Sequence, residues 1–150
     1  MSYADLAKGR FSASGNVYFV TTVLAERQRR LFEDFHRARM VVDEMRRLDD
    51  GGMVDSLAWV VMPDHVHWLF LLGEAETLSS VIKGFKARTA RRLNLSMGQT
   101  GPVWQKAFFD HALRQEEDMR NIARYIVANP LRAGLVERIG DYPLWDAVWL

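Results

Sequence analysis

Two histidines, one residue apart, stand within an apolar stretch near the middle of the chain. The stretch "LAWVVMPDHVHWLFLLG" occupies residues 57–73 and contains His65 and His67. Side chains alternate across a strand, so residues i and i+2 emerge on the same face, roughly 7 Å apart. Two imidazoles at that spacing can bind one metal ion, or each can bond to water or a carboxylate at a wet face of the sheet. The spacing alone leaves both interpretations open.

A metal site would need donors beyond these two imidazoles. A third protein donor has to come from another element of the fold, and water or substrate oxygens fill the remaining positions. Two further histidines are present. His36 lies on the polar side of a predicted helix, where we expect it to be exposed. His111 lies in "FFDHALR", and we expect it to make a structural hydrogen bond.

Tyr125 and Asn129 lie four residues apart in "RYIVANP", which places them one turn apart on the same face of a helix. A tyrosine can attack phosphorus once its proton is removed or a metal polarises the phosphate. An aromatic residue at this spacing can equally be a packing residue. Asn129 has a carbonyl oxygen to offer to the same ion. Pro130 biases Asn129 away from helical geometry, so we expect a distorted last turn.

The apolar pattern predicts the elements that must position these residues. Steps of three and four indicate helices, whereas runs of β-branched and aromatic residues indicate strands. The first six elements match the split βαβ pattern of an α+β, ferredoxin-like fold. We therefore expect an antiparallel sheet with helices packed on one face, followed by the tyrosine-bearing helix and a C-terminal tail. The predicted elements are a strand at 16–24, a helix at 28–48, strands at 53–61 and 65–72, a helix from Thr77, a strand at 103–114 and a helix at 115–130.

Composition excludes several classes of site. The chain of 150 residues contains no cysteine, which excludes thiolate metal sites, thiol nucleophiles and disulfides. Its length predicts one domain spanning residues 1–150. The opening "MSYADLAKGRFSASG" has no signal-peptide pattern and no apolar run is long enough for a membrane span, so we expect a soluble cytoplasmic protein without a membrane partner.

Net charge does not decide whether the chain binds nucleic acid, because 20 Lys and Arg residues face 19 Asp and Glu residues. The basic residues nevertheless cluster, most densely in "KGFKARTARR" at 83–92. Such clusters can contact phosphates even on a neutral protein, since the local field acts at contact distance. A solvated helix face is the alternative interpretation of each cluster taken alone.

Several stretches together resemble one family. "MPDHVHWLF" is similar to the strand that carries the His-hydrophobic-His motif of the HUH endonucleases. "VWQKAFFDHALR" and "RYIVANPLRAGLV" resemble later signatures of the single-tyrosine transposase branch. The opening "GNVYFVTTVL" and closing "DYPLWDAVWL" resemble the REP-associated tyrosine transposases, which are related to the IS200/IS605 enzymes. The resemblance extends from about Gly15 to Leu150.

The resemblance implies a metal-dependent endonuclease and strand transferase that acts on single-stranded, hairpin-forming repeat DNA in transposition. His65 and His67 would bind Mg²⁺ or Mn²⁺, and the tyrosine helix would pack near them. Tyr125 would attack the scissile phosphate and form a 5′-phosphotyrosine link. Asn129 falls where the family places its third metal ligand. One phosphodiester is exchanged for another, so no nucleotide cofactor is needed.

The resemblance also implies a DNA partner, and the closing stretch favours a monomer over a homodimer. Aromatic side chains can stack on unpaired bases or pack in the core. The candidates for phosphate contacts are Arg88, Arg91, Arg92 and Arg132, and the candidates for stacking are Trp104, Phe108 and Phe109.

Two alternative functions use the same residues differently. A non-catalytic protein of this fold would bind hairpin DNA without cutting it. A two-histidine metal hydrolase would cleave through activated water and leave Tyr125 as a structural residue. Retention of all the presumed catalytic residues favours the tyrosine enzyme over the binding protein.

Overall fold

The computed structural model describes residues 16–149 of the chain. One antiparallel sheet contains five strands in the order β4-β1-β3-β2-β5. The strands are β1 (Val17–Val23), β2 (Val54–Met62), β3 (His65–Leu72), β4 (Phe109–Leu113) and β5 (Trp145–Ala147). The order of the first four strands is the ferredoxin-like one, which confirms the predicted fold class. The opening stretch on which the expectation about export rests lies outside the described residues.

The first two helices pack on one face of this sheet. Helix α1 (Phe35–Asp50) begins after Asp34, whose side chain accepts a hydrogen bond from the Arg37 backbone N–H. Helix α2 (Leu78–Met97) begins after Thr77, which caps the Ser80 N–H in the same way. Such caps satisfy backbone donors that a helix start otherwise leaves unpaired. The core on this face includes Val41, Met45, Leu48, Ile82, Phe85, Leu93, Val20, Trp68 and Phe70.

The tyrosine-bearing helix packs on the opposite face of the sheet. Helix α3 (Glu116–Val127) has three acidic residues in its first turn, where they favour the positive end of the helix dipole. It lies over β2, β3 and β5. The core on this face includes Met119, Ala123, Ile126, Val127, Leu57, Val60, Leu69 and Leu71. The predicted single helical layer therefore describes α1 and α2, whereas α3 forms a second layer.

Strand β3 sends alternate side chains to the two layers. Trp68 and Phe70 belong to the core under α1 and α2, and Leu69 belongs to the core under α3. His65 and His67 share the parity of Leu69, so they face the α3 layer. The two predicted strands form a hairpin whose turn contains Pro63 and Asp64, because β2 pairs with β3 up to Met62↔His65.

The first helix starts later than predicted. Residues 28–34 continue the apolar spacing, but they form two 3-10 turns, Arg27–Arg29 and Leu31–Glu33, before α1 begins. Arg30 between them has a φ of 46°, in the left-handed region that breaks a helix. Leu31 is buried even though it lies in a 3-10 turn. Apolar residues at helical spacing therefore reflect burial here and not an α-helix.

The fourth strand is shorter than predicted. Trp104 is buried and forms an isolated bridge with Leu24, but it lies outside β4. Beyond it, the carbonyls of Gln105 and Lys106 accept hydrogen bonds from Lys86 Nζ at 2.5 and 3.0 Å. Regular strand pairing begins only at Phe109.

The C-terminal tail adds the unpredicted strand β5 to the edge of β2. Ala147 pairs with Ala58, and the Val148 N–H donates to the Leu57 carbonyl at 2.9 Å. Between α3 and this strand lie the short helix α4 (Asn129–Arg132) and a 3-10 turn. Within residues 16–149, no helix has the length and apolarity needed to cross a bilayer.

Candidate active site

The two histidines lie side by side on the α3 face of the central strand. Their ring centroids are 4.7 Å apart and the rings are inclined at 76°. The predicted same-face pair is therefore present. His67 is only 8% exposed, and His65 is partly buried at the start of the strand.

Each imidazole has one nitrogen engaged by the protein. The Nδ1 atom of His67 lies 2.7 Å from Thr21 Oγ1, on the neighbouring strand β1. The Nδ1 atom of His65 lies 2.7 Å from an oxygen of Asp64, and Arg27 donates to the other oxygen of that carboxylate at 2.7 Å. Neither Nε2 atom has a hydrogen-bond partner among residues 16–149. Partners of this kind orient metal-binding histidines and leave the second nitrogen to the ion.

Electrostatics keeps His67 in the neutral state that a metal requires. Burial, together with the nearby charges of His65 and Arg132, lowers the pKa of His67 to about 3. The ring is therefore neutral near pH 7 and retains a lone pair. Burial alone would raise the pKa of Asp64, but hydrogen bonds from His65 and Arg27 outweigh it and hold that pKa below its usual range. Asp64 thus stays ionised.

Tyr125 lies against the histidine pair. Its ring centroid is 5.8 Å from that of His67, with an angle of 62° between the planes. Phe19 on β1 contacts both rings, with centroid distances of 5.4 Å to His67 and 6.2 Å to Tyr125. The tyrosine is nevertheless 45% exposed. It lies beside the imidazoles and is open to solvent, so it is not a core packing residue.

Residues that follow α3 bind the backbone carbonyl and the ring of Tyr125. The helix is interrupted before Pro130, as expected, but the interruption lies at Ala128: Asn129 is itself helical and begins the short helix α4, with Pro130 in its first turn. Asn129 Nδ2 and Arg132 Nη2 both donate to the Tyr125 backbone carbonyl, at 3.1 and 2.7 Å. The Arg132 guanidinium also lies 4.2 Å from the centroid of the Tyr125 ring. Arg132 thus contacts the tyrosine at two points.

The donor set fits a hard divalent ion that completes its coordination with substrate oxygens. Both histidine Nε2 atoms lack a hydrogen-bond partner among residues 16–149, and the Asn129 amide uses its nitrogen on the Tyr125 carbonyl. Its oxygen has no hydrogen-bond partner within the described part of the chain. Within that part, no three His, Cys, Asp or Glu side chains are arranged so that they could hold a metal ion by themselves. The roles of His65, His67 and Asn129 as ligands remain predictions.

The three arginines predicted on α2 lie in the other helical layer. Arg88 forms an ion pair with Glu44, which is only 5% exposed, and Arg92 lies 3.6 Å from Asp43. Gly84 makes room for the first pair, since a Cβ there would be 2.8 Å from Arg88 Nη2. Of the four predicted phosphate contacts, only Arg132 lies beside Tyr125, and all four assignments remain predictions.

The aromatic residues and histidines that the sequence also suggested differ in how deeply they are buried. Trp104 is a core residue whose Nε1 donates to Thr89, whereas Phe109 is exposed. Phe108 packs partly buried, with Lys86 Nζ 6.0 Å from its ring centroid. His36 is exposed, as expected. His111 is also exposed, and the structural hydrogen bond expected for it is not found within residues 16–149.

Sequence reasoning missed the residues that orient the histidines. Thr21 and Phe19 reach the site only through the pairing of β1 with β3, which joins Thr21 to His67 across 46 positions of the chain. Arg27 reaches it from a 3-10 turn. In the sequence, Asp64 was assigned only to the turn between β2 and β3. Its position directly before His65 could have indicated a hydrogen-bond partner for that histidine.

A ferredoxin-like sheet with two histidines on its central strand, and a tyrosine on the helix crossing that face, is the arrangement expected of the single-tyrosine HUH nucleases. A family model described as "Transposase IS200 like" matches residues 15–129. The chain belongs to this IS200-like transposase family, and it is accordingly an enzyme of DNA cleavage and strand transfer.

Individual proteins show the same similarity. A REP-associated tyrosine transposase of Escherichia coli K12 is 28% identical over 136 residues, covering 89% of this chain and 78% of that protein. A Haemophilus influenzae protein whose name also includes "REP-associated tyrosine transposase" is 27% identical over 143 residues, covering 86% and 78%. A solved structure of a REP-associated tyrosine transposase bound to a REP hairpin superposes with a TM-score of 0.73, at 27% identity, covering 87% of this chain and 76% of that one.

Proposed function

We propose that this transposase cuts and rejoins single-stranded DNA next to a hairpin-forming repeat, with Tyr125 as the nucleophile and a divalent metal ion as cofactor. The observation that carries the proposal is the contact between Tyr125 and His67, whose ring centroids are 5.8 Å apart beside a second same-face histidine. This contact supports a site in which the nucleophile and the metal-binding groups act on the same phosphate.

The reaction is an exchange of phosphodiesters. The Tyr125 hydroxyl oxygen attacks the scissile phosphorus, forming a phosphotyrosine bond to the 5′ side as the bond to the 3′ oxygen breaks. The proton lost by the phenol is balanced by the proton that the 3′ oxygen gains as it leaves as a hydroxyl. The reverse reaction with another 3′-hydroxyl joins two strands. Bond energy is conserved in the phosphotyrosine, so no nucleotide cofactor is required.

The residues around Tyr125 have distinct tasks in this scheme. His65 and His67 would hold Mg²⁺ or Mn²⁺ through Nε2, with the Asn129 oxygen as third protein ligand. The bound ion supplies Lewis-acid polarisation of the phosphate. Thr21 and Asp64 would orient the imidazoles by accepting from Nδ1–H, which leaves the Nε2 lone pairs for the ion. Arg132 fixes the tyrosine through its carbonyl and ring and presents a positive charge near the phosphate.

Hairpin DNA is the substrate class that the relatives favour. The protein of the matched solved structure is bound to a REP hairpin, and we propose the same class of DNA for this chain. Since β5 pairs with β2 within the same chain, the edge of the sheet beside α3 is already occupied. This supports a monomer acting on one hairpin.

The test is covalent capture of the DNA. The protein is incubated with Mn²⁺ and labelled hairpins that carry single-stranded flanks, and products are separated under denaturing conditions. We expect a protein–DNA adduct from the wild-type chain and none from Tyr125→Phe, which retains the ring and loses only the attacking oxygen. His67→Ala is expected to bind hairpins but to form no adduct.

The two alternative functions give different outcomes in the same assay. Binding without adduct or cleavage across a broad hairpin panel would indicate a non-catalytic binding protein. Cleavage that survives Tyr125→Phe would indicate attack by water, and would contradict the assignment of the nucleophile.

A further inference from the structure

Phe109 on the edge strand β4 is the most exposed aromatic residue among residues 16–149, at 66%. A single exposed apolar side chain is ordinary on a protein surface. The position of this one is unusual because it continues the row of residues that forms the candidate active site.

The strand register defines that row. Phe109 pairs with Thr21, and Thr21 pairs with His67, so the three residues lie side by side across β4, β1 and β3. Paired residues point to the same face of a sheet, which is confirmed here by the hydrogen bond between Thr21 and His67. With strands about 4.8 Å apart, the Phe109 backbone lies about 10 Å from that of His67. That is of the order of one nucleotide, from its phosphate to its base.

This part of the face is open. Helix α3 packs mainly over β2, β3 and β5, and on β4 it leaves the Phe109 side chain exposed. His111, the next residue of β4 on this face, pairs with Phe19 and is exposed. Leu113 is buried and closes the strip at its other end. An exposed strip of β4 therefore runs beside the histidines and the tyrosine.

The segment that carries Phe109 is held in place and flanked by positive charge. Lys86 Nζ donates to the carbonyls of Gln105 and Lys106 directly before β4. Burial lowers the pKa of Lys86. Its amino group donates to the Gln105 carbonyl and so anchors the segment. The side chains of Lys106 and Arg114, at either end of β4, are exposed. The backbone that carries the Phe109 ring is therefore held in place, and the positive charges on either side favour contact with a DNA strand.

We propose that Phe109 is a stacking platform for one unpaired base of the single-stranded flank, adjacent to the phosphate that Tyr125 attacks. This subsite rests on the proposed function and defines where the strand leaves the site, over the β4 edge. An aromatic ring stacks on any base, so the subsite contributes affinity and position with little sequence preference.

The test measures DNA affinity in a Tyr125→Phe background, where no adduct removes DNA from the equilibrium. Phe109→Ala is compared with Phe109→Trp, which retains a stacking surface, and with Leu95→Ala. Leu95 is 74% exposed on α2, in the other helical layer. Each variant is titrated with hairpins in which one flank nucleotide at a time is abasic.

We expect Phe109→Ala to weaken binding by about five- to 150-fold, the range that one base–aromatic stack contributes. The loss should vanish on the substrate that lacks the stacked base, because the two changes remove the same interaction. Phe109→Trp and Leu95→Ala should bind like the background protein.

An equal loss on every abasic substrate, or no loss at all, would overturn the proposal. Light scattering gives a further check. If Phe109→Ala changes the oligomeric state of the background protein, the exposed strip of β4 contacts a second copy of the chain, and the proposal is overturned. Failure of the proposed chemistry is distinguishable, since it removes the Tyr125 adduct but leaves the coupling between Phe109 and one base intact.

Discussion

Two neighbouring threonines on β1 have opposite environments. Thr21 faces α3, where its hydroxyl lies 2.7 Å from His67 Nδ1. Thr22 faces the other layer, and its buried hydroxyl has no hydrogen-bond partner among the described residues. Strand alternation thus makes one hydroxyl useful to the site and leaves the adjacent one as an unpaired polar group in the core.

Replacement by valine, which has the same shape, should separate these two roles. In Thr21→Val, His67 Nδ1 loses the hydroxyl that orients its ring, so we expect the affinity for Mn²⁺ to fall by roughly 10- to 100-fold, the usual loss when a hydrogen-bond partner of a metal ligand is removed. The measurement is the electron paramagnetic resonance signal of free Mn²⁺ during titration of the protein without DNA. It reports metal binding independently of catalysis.

Thr22→Val is the matched control. We expect unchanged Mn²⁺ affinity and a free energy of unfolding about 1 kcal/mol higher, because an unsatisfied buried hydroxyl is replaced by a methyl group. Equal Mn²⁺ affinities for the two variants would show that Thr21 does not orient the metal ligand.

At the scale of elements, apolar spacing predicted which segments pack but not always how they are built. Helix α2 begins one residue after the predicted Thr77, because the cap is a local interaction that the sequence shows directly. The segment before α1 has helical spacing, yet the left-handed Arg30 divides it into 3-10 turns. Strand β5 was missed because its ladder partner, β2, lies more than eighty positions away along the chain.

The tail that carries β5 is fastened by Tyr142. Its hydroxyl donates to the Val61 carbonyl at 2.6 Å. Burial raises the pKa of Tyr142 to about 12, against about 10 for an unfolded chain. The folded state therefore holds this proton more tightly, so the associated stability is complete below pH 10 and is lost as the pH rises through about 12.

Tyr142→Phe should expose this dependence. At pH 8 we expect the free energy of unfolding to fall by about 1 kcal/mol, the contribution of one hydrogen bond. Above pH 10 the difference from wild type should shrink, because only the wild-type unfolded chain gains free energy by ionising this phenol. Urea unfolding at pH 8, 10 and 11 measures the difference. A gap that stays constant or widens would show that Tyr142 does not titrate as its environment requires.

At the scale of the whole molecule, the sheet separates two surfaces. The α3 face carries the predicted histidines and tyrosine, which strand and helix periodicity could place on common faces. Their meeting depends on α3 crossing the sheet, which spacing alone could not establish and which the resemblance implied. The α2 face carries the densest basic cluster, and the sequence did not show that Arg88 is committed to Glu44.

This separation predicts that the two surfaces contact different parts of a hairpin: the α2 surface contacts the duplex stem, and the α3 face contacts the single strand. Arg91 is exposed, and the 3.6 Å ion pair between Arg92 and Asp43 is an exposed one that contributes little. Both are free to contact phosphates. Arg88 is left intact because its removal would cost Glu44, a buried carboxylate, one of its two arginine partners.

The double variant Arg91→Gln, Arg92→Gln should therefore weaken hairpin binding and flatten its salt dependence, by about one unit of the log–log slope for each phosphate that is no longer neutralised. The double variant Arg91→Lys, Arg92→Lys keeps both charges and should retain the slope of the salt dependence. A stemless strand should bind all three proteins alike, because it reaches only the α3 face. An unchanged slope on hairpins would place the duplex stem away from α2 and leave Arg132 as the predicted arginine contact with DNA.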